Sequence, residues 1–147
     1  MKKVYACFTT DVIHEGHLNI IKEAQKFGEV VVGVLSDSAL IRFNRFPTIS
    51  LDDRIGLIKN IEGISEVIIQ EDVMYDEVIN KIRPDYVIHG DNWLQGPTKA
   101  IRDNVEECLK KYGGKIIDIP YTYNSEVKRI DERIKEKLAM PEFRRKR

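Results

Sequence analysis

Apolar runs alternate along the chain with stretches whose apolar residues recur at helical spacing. Val4 to Phe8 is the first run and predicts a buried β-strand. It is followed by residues 18–27, with Leu18, Ile21 and Ala24 on one side of a predicted helix. Val30-Val-Val-Gly-Val-Leu35 is rich in β-branched residues, as a buried parallel strand is. Ser36-Asp37-Ser38 closes it and offers a cap to a short helix from Ala39. Ser50 and Asp53 form a start resembling a capping box, ahead of the stripe Leu51, Ile55, Ile58 and Ile61. Val67-Ile-Ile69 predicts a third strand, and Tyr75 to Ile82 a short helix ended by Pro84. Tyr86-Val-Ile88 predicts a fourth strand. Ile101, Val105, Cys108 and Tyr112 then align on a helix terminated by Gly113-Gly114. Ile116 to Ile119 is the fifth strand. Asn124 or Ser125 can cap a last helix through Val127, Ile130, Ile134 and Leu138. This β/α repetition predicts an α/β fold: a Rossmann-like five-stranded parallel sheet with helices on both faces, plus a C-terminal helix.

Composition adds bounds. At 147 residues the chain is expected to be one domain with a proper core. Its 24 basic and 24 acidic residues balance, giving no warrant for nucleic-acid or membrane binding. Cys7 and Cys108 are far apart, each on an apolar position, which predicts buried free thiols in a reducing compartment. Met1-Lys-Lys leads straight into a short strand, not into the apolar region of a signal peptide, and no run approaches membrane-spanning length. The expected location is the cytoplasm.

The chemistry concentrates in Phe8-Thr-Thr-Asp-Val-Ile-His-Glu-Gly-His17, where the first strand hands over to the first helix. The first amides of a helix lack intrahelical partners and its dipole favours an anion there. Gly16, without a Cβ, allows close approach, and the imidazoles of His14 and His17 can donate to phosphate oxygens. Local spacing leaves three readings open: a phosphate-handling corner, half of a metal site, or polar loop residues. The metalloprotease pattern differs, with histidines four apart inside a helix. In open parallel sheets ligands sit beyond the C-terminal strand ends. Thr9 to His17, Ser36-Asp37, His89 to Trp93 and Tyr121-Thr122 all fall at such ends in the predicted arrangement. His89 and Trp93 can serve as packing residues there as well as ligand contacts.

Thr9-Thr-Asp11 followed by His14-x-Gly-His17 resembles the signature of the HxGH nucleotidyltransferases. Gly90-Asp91 before Asn92-Trp93 is similar to the Gly-Asp-Asp-Trp of the cytidylyltransferase branch, which includes glycerol-3-phosphate cytidylyltransferase. Residues 83–93 and 113–122 look most like the cytidylyltransferase domain fused to phosphoenolpyruvate phosphomutase in phosphonate biosynthesis.

The resemblance implies transfer of CMP from CTP to a small phosphonate, such as 2-hydroxyethyl- or 2-aminoethylphosphonate, with release of pyrophosphate. It implies Mg²⁺ on the triphosphate, no metal held by the protein alone, and a homodimer. His14, His17 and Arg45 would be catalytic. Thr9, Thr10, Asp11, Gly16, His89, Gly90, Asp91, Tyr121, Thr122 and Ser125 would bind the nucleotide. Arg42, Arg54, Trp93 and Arg102 would bind substrate. Residues 1–123 would form the nucleotidyltransferase domain and 124–139 a helix packed on it. The basic residues 140–147 would be a tail or a linker to a phosphomutase domain. The family usually carries Ile-Ser-Thr-Thr or Ile-Ser-Ser-Thr after the fifth strand; here Tyr121-Thr-Tyr-Asn-Ser-Glu126 takes its place. Three alternatives therefore stand: glycerol 3-phosphate as acceptor, a catalytically lapsed nucleotide-binding module, and a metallohydrolase using His14, His17 and His89.

Overall fold

The computed structural model describes residues 2–8, 15–43 and 45–120. Thr9, Thr10, Asp11, His14, Tyr121, Thr122 and Ser125, expected at the site, and the expected helix 124–139 and tail lie outside those residues. Within them, five parallel strands, β1 (Lys3–Phe8), β2 (Glu29–Leu35), β3 (Ile64–Gln70), β4 (Tyr86–Gly90) and β5 (Lys115–Ile119), form one sheet in the order β3-β2-β1-β4-β5. Five helices connect them: α1 (Glu15–Ala24), α2 (Asp37–Arg42), α3 (Leu51–Lys59), α4 (Asp76–Ile82) and α5 (Lys99–Lys110), with a 3₁₀ turn at Asp91–Trp93.

The central strands are buried on both faces, so their side chains feed two separate cores. Val4, Ala6 and Phe8 of β1 pack with Ile20, Ile21 and Ala24 of α1 and Ile58 of α3. Tyr5 and Cys7, the alternate residues, pack with α2, α4 and α5 through Leu40, Ile79, Val105 and Leu109. Two helix starts follow local chemistry. Ser36 Oγ accepts from Ala39 N at 3.2 Å and Ser50 Oγ from Asp53 N at 3.2 Å, each satisfying an orphan amide. The end of α4 is set by Arg83, held in the left-handed region at φ 44° just before Pro84.

Two expectations are corrected. The first helix begins at Glu15, so Gly16 and His17 lie in its first turn instead of in the preceding loop. Leu18 is 47% exposed, and Ile20 joins Ile21 and Ala24 on the buried stripe in its place. At about 100° per residue Ile20, Ile21 and Ala24 form one narrow stripe, and Leu18 falls well to its side, toward the outside. Strand β4 also runs two residues further than its apolar run, so His89 and Gly90 belong to the sheet.

One close approach ties three strands together. Tyr5 crosses over β2 at Gly33, where an added Cβ would lie 1.7 Å from the phenol oxygen. The phenol donates to Gln70 Oε1 on β3 at 2.6 Å, and Gln70 Nε2 donates to the carbonyl of Asp72 at 2.6 Å. The brace fixes the chain leaving β3, whose Val73 and Tyr75 enter the site described below.

Candidate functional site

Strand β1 ends with two residues that point to opposite faces of the sheet. On one face, the ring of Phe8 lies against His17, with centroids 4.7 Å apart and planes at 55°. Gly16, next to it in the first turn of α1, is buried. Helix α1 packs on both β1 and β4, so its N-terminal turn sits over the point where the strand order reverses. That turn offers backbone amides and a half-buried imidazole at the positive end of a ten-residue helix.

On the other face, Cys7 lines a cavity of about 80 Å³. Leu35, Gln70 and His89, at the C-terminal ends of three further strands, join it. Tyr75 and Trp93 form its walls and Arg45 stands at its exposed side. Its titratable walls are held neutral by burial. Desolvation pushes the Cys7 thiol up to about 12, moderated by hydrogen bonds with Tyr5 and Tyr75, and raises the Tyr75 phenol well above its ordinary value. Desolvation also lowers His89 below 6.5, against the opposing pulls of the Gly90 carbonyl and Asp118. The His89 Nδ1 donates to Gly90 O at 2.7 Å, since a carbonyl can only accept. In the neutral ring this leaves Nε2 as a hydrogen-bond acceptor.

The residues expected to contact ligand divide into two groups. His17, Gly16, His89, Gly90, Asp91 and Arg45 all stand at the C-terminal edge of the sheet or on the elements leaving it. Arg45 is exposed: its amide donates to Leu40 O at 2.8 Å, and its guanidinium lies 5.9 Å from the centre of the Phe43 ring. Arg42 is also exposed and donates to the Glu71 carbonyl at 2.6 Å.

Arg54, Trp93 and Arg102 are committed elsewhere. Arg54 is 4% exposed; it donates to Leu35 O at 2.7 Å and Ile49 O at 3.2 Å, and pairs with Asp37. It therefore clamps the two ends of the segment that carries Arg42 and Arg45, and does not reach out to a phosphate. Trp93 is 1% exposed, stacks on His89, and donates from Nε1 to Asp118 Oδ1 at 2.7 Å. Arg102 makes two bonds to the same carboxylate, at 2.7 and 3.3 Å, and pairs with Glu106. Both side chains orient the 91–93 turn through Asp118, and Trp93 also lines the cavity.

Sequence reading missed Asp118, Gln70, Cys7 and Tyr75. Asp118 interrupts an Ile-Ile-Asp-Ile run and Gln70 ends one, and a polar residue in such a run was the available signal. Cys7 and Tyr75 carried none, because their types and positions are those of core residues. Among the described residues no cluster of three His, Cys, Asp or Glu side chains is arranged to hold a metal ion. No described helix is long and apolar enough to cross a membrane.

Known proteins are similar to this chain. The chain is 29% identical over 117 residues to the bifunctional protein HldE of Desulfatibacillum aliphaticivorans, covering 78% of this chain and 22% of that one. It is 34% identical over 97 residues to an ethanolamine-phosphate cytidylyltransferase of Arabidopsis thaliana, covering 61% of this chain and 23% of that one. The chain thus spans less than a quarter of either relative. With an FAD synthase of Ferroglobus placidus it shares 29% identity over 153 residues, covering 94% of this chain and 100% of that one. A solved structure, the lipopolysaccharide core biosynthesis protein of Thermoplasma volcanium GSS1, superimposes with a TM-score of 0.70 at 25% identity, over 84% of this chain and 99% of that one. The family model described as cytidylyltransferase-like matches residues 6–145, almost the whole length, and the chain belongs to that family of nucleotidyltransferases.

Proposed function

We propose that this protein is a cytidylyltransferase that joins CMP from CTP to a small phosphonate or phosphate acceptor and releases pyrophosphate. The observation that carries the reading is the end of β1. The N-terminal turn of α1, bearing His17, stands on one face of the sheet there, and an arginine-edged cavity opens on the other. A nucleotide phosphate held at the first and an acceptor held at the second meet across a single strand end.

The acceptor oxygen attacks the α-phosphorus of CTP. A new P–O bond forms while the bond to the bridging oxygen breaks, and pyrophosphate leaves with that electron pair. A phosphonate or phosphate oxygen is already ionised at neutral pH, so no strong base is required. The work of the protein is alignment and stabilisation of charge on the transferring group. His17, with His14 three positions before it in the sequence, donates to the phosphate oxygens; Arg45 neutralises the acceptor. CTP enters as its Mg²⁺ complex, the ion keeping most of its water. The homodimer expected from the family is part of the same proposal, and sedimentation equilibrium checks it.

A second acceptor is favoured by the FAD synthase match over that protein's entire length: a flavin mononucleotide, which also presents a phosphate. The test is pyrophosphate release with Mg²⁺, comparing CTP, ATP, GTP and UTP against 2-hydroxyethylphosphonate, 2-aminoethylphosphonate, glycerol 3-phosphate, ethanolamine phosphate and FMN. Release that depends on CTP and one small acceptor, and falls about 100-fold or more in His17→Ala, is the expected result. Release only with ATP and FMN moves the chain to the second reading. Nucleotide binding without release from any pair means a lapsed site.

A further inference from the structure

The cavity below Arg45 has a size and an electrostatic character that together choose among acceptors. A cavity of about 150 Å³ takes up benzene, with its six carbons, so one of about 80 Å³ has room for about three or four non-hydrogen atoms. A tricyclic flavin does not fit. None of its described lining residues is an Asp or Glu, and among them the one fixed charge is the Arg45 guanidinium. Burial keeps Cys7, Tyr75 and His89 in their neutral forms, as described above.

Building on the cytidylyltransferase reading, we propose that this cavity holds the organic tail of the acceptor and selects a short, uncharged, hydroxylated one over an aminated or flavin-sized one. A hydroxyl can donate to His89 Nε2 and accept from Tyr75, Thr98 or the Asn92 amide, all of which belong to the lining. A primary amine is protonated at neutral pH, and entering this space it would lose its water with no carboxylate among the described lining residues to replace it and a guanidinium close by. One aromatic face that could hold the ammonium, that of Trp93, is already covered by His89 at 3.9 Å. The selectivity belongs to this chain's lining, where one carboxylate would narrow it.

The experiment compares 2-hydroxyethylphosphonate with 2-aminoethylphosphonate, which match in size and differ in charge, and includes FMN. kcat/KM is measured with CTP and Mg²⁺ for the wild-type chain and for Asn92→Asp. Asn92 is exposed at the rim of the cavity, so the isosteric change adds a carboxylate without disturbing the core. The expected result is a preference of about tenfold or more for the hydroxyl acceptor in the wild type. In Asn92→Asp the preference is expected to narrow at least about fivefold, as the new charge accepts the ammonium. Equal or better use of the amine by the wild type overturns the proposal, and so does comparable use of FMN. An unchanged ratio in Asn92→Asp also overturns it, by locating the selectivity outside the cavity. Loss of transfer with every nucleotide and acceptor is a different result: it removes the transferase reading and this proposal with it.

Discussion

The indole of Trp93 lies flat on the imidazole of His89, ring centres 3.9 Å apart and planes 13° apart. The stack buries a titratable ring at the end of β4, and desolvation lowers the His89 pKa below 6.5. A base that binds its proton less readily when folded makes stability depend on pH in one direction. Above about pH 6.5 the ring is neutral in both states and the contribution is complete. As pH falls below that value the unfolded chain takes up the proton first, so stability declines until the folded pKa is reached. We expect wild-type protein to lose more stability between about pH 7.5 and pH 5.5 than His89→Gln does. Urea denaturation of both proteins across that range checks it, since the other histidines are common to both. Parallel curves would refute the assignment.

Asp118 is the other half of that arrangement. It accepts from Trp93 Nε1 and from two nitrogens of Arg102, and neither ionic partner is more than about a quarter exposed (22% each). Burial works to raise its carboxyl; the hydrogen bonds from Arg102 and Trp93 outweigh burial and hold it below the usual carboxylate range. Asp118→Asn keeps the shape, removes the charge, and is expected to cost about 1–2 kcal/mol. A double-mutant cycle with Arg102→Gln should give a coupling of about 1 kcal/mol. Additive losses would mean that the two side chains act independently.

Arg54 makes a larger stability prediction. Its guanidinium satisfies the carbonyls of Leu35 and Ile49 together with the Asp37 carboxylate, from a site only 4% exposed. Lysine is a point charge and cannot fork to three acceptors, so Arg54→Lys is expected to lose about 2–3 kcal/mol. Asp37 is half exposed (54%), so most of that loss comes from the buried carbonyls and little from the ion pair. The same clamp positions the segment bearing Arg45, so KM for the acceptor should rise more than kcat falls. Denaturation midpoints and steady-state kinetics test the two parts separately. A variant of unchanged stability would return Arg54 to the role of a ligand-binding cation.

The fold was legible because parallel strands buried on both faces read as apolar runs, and Val30 to Leu35 is such a run. Helix starts were legible where a serine capped them, as at Ser36 and Ser50. The start of α1 was not, because its first turn is glycine, histidine and an exposed leucine, residues that carry no apolar stripe. For the site, strand ends indicated the edge of the sheet at which the cavity lies but not the partners across it. Whether an arginine reaches solvent or an interior carbonyl depends on tertiary neighbours. Arg54 and Arg45, nine positions apart, fall on opposite sides of that distinction. The cavity was invisible for a related reason: Cys7, Gln70 and Tyr75 come from separate elements and meet only through the brace of Tyr5 across β2.

That brace gives the last prediction. Gly33 sits mid-strand, where glycine is otherwise unfavourable, because the Tyr5 ring occupies the space of a side chain. In Gly33→Ala the new methyl meets Tyr5 Oη at 1.7 Å and Cζ at 2.6 Å, so the ring must move. Moving it breaks the 2.6 Å bond to Gln70 and leaves a buried amide oxygen without its donor. Overpacking and the lost hydrogen bond together should cost about 2–4 kcal/mol. Tyr5→Phe keeps the ring and removes only the hydroxyl, so it should cost about 1 kcal/mol. Combining Gly33→Ala with Tyr5→Val gives the methyl its space, and the double variant should be less impaired than the sum of its two single variants. Thermal unfolding of the four proteins decides it. A Gly33→Ala protein as stable as wild type, or strict additivity in the double variant, would mean that Tyr5 does not need the empty position on β2.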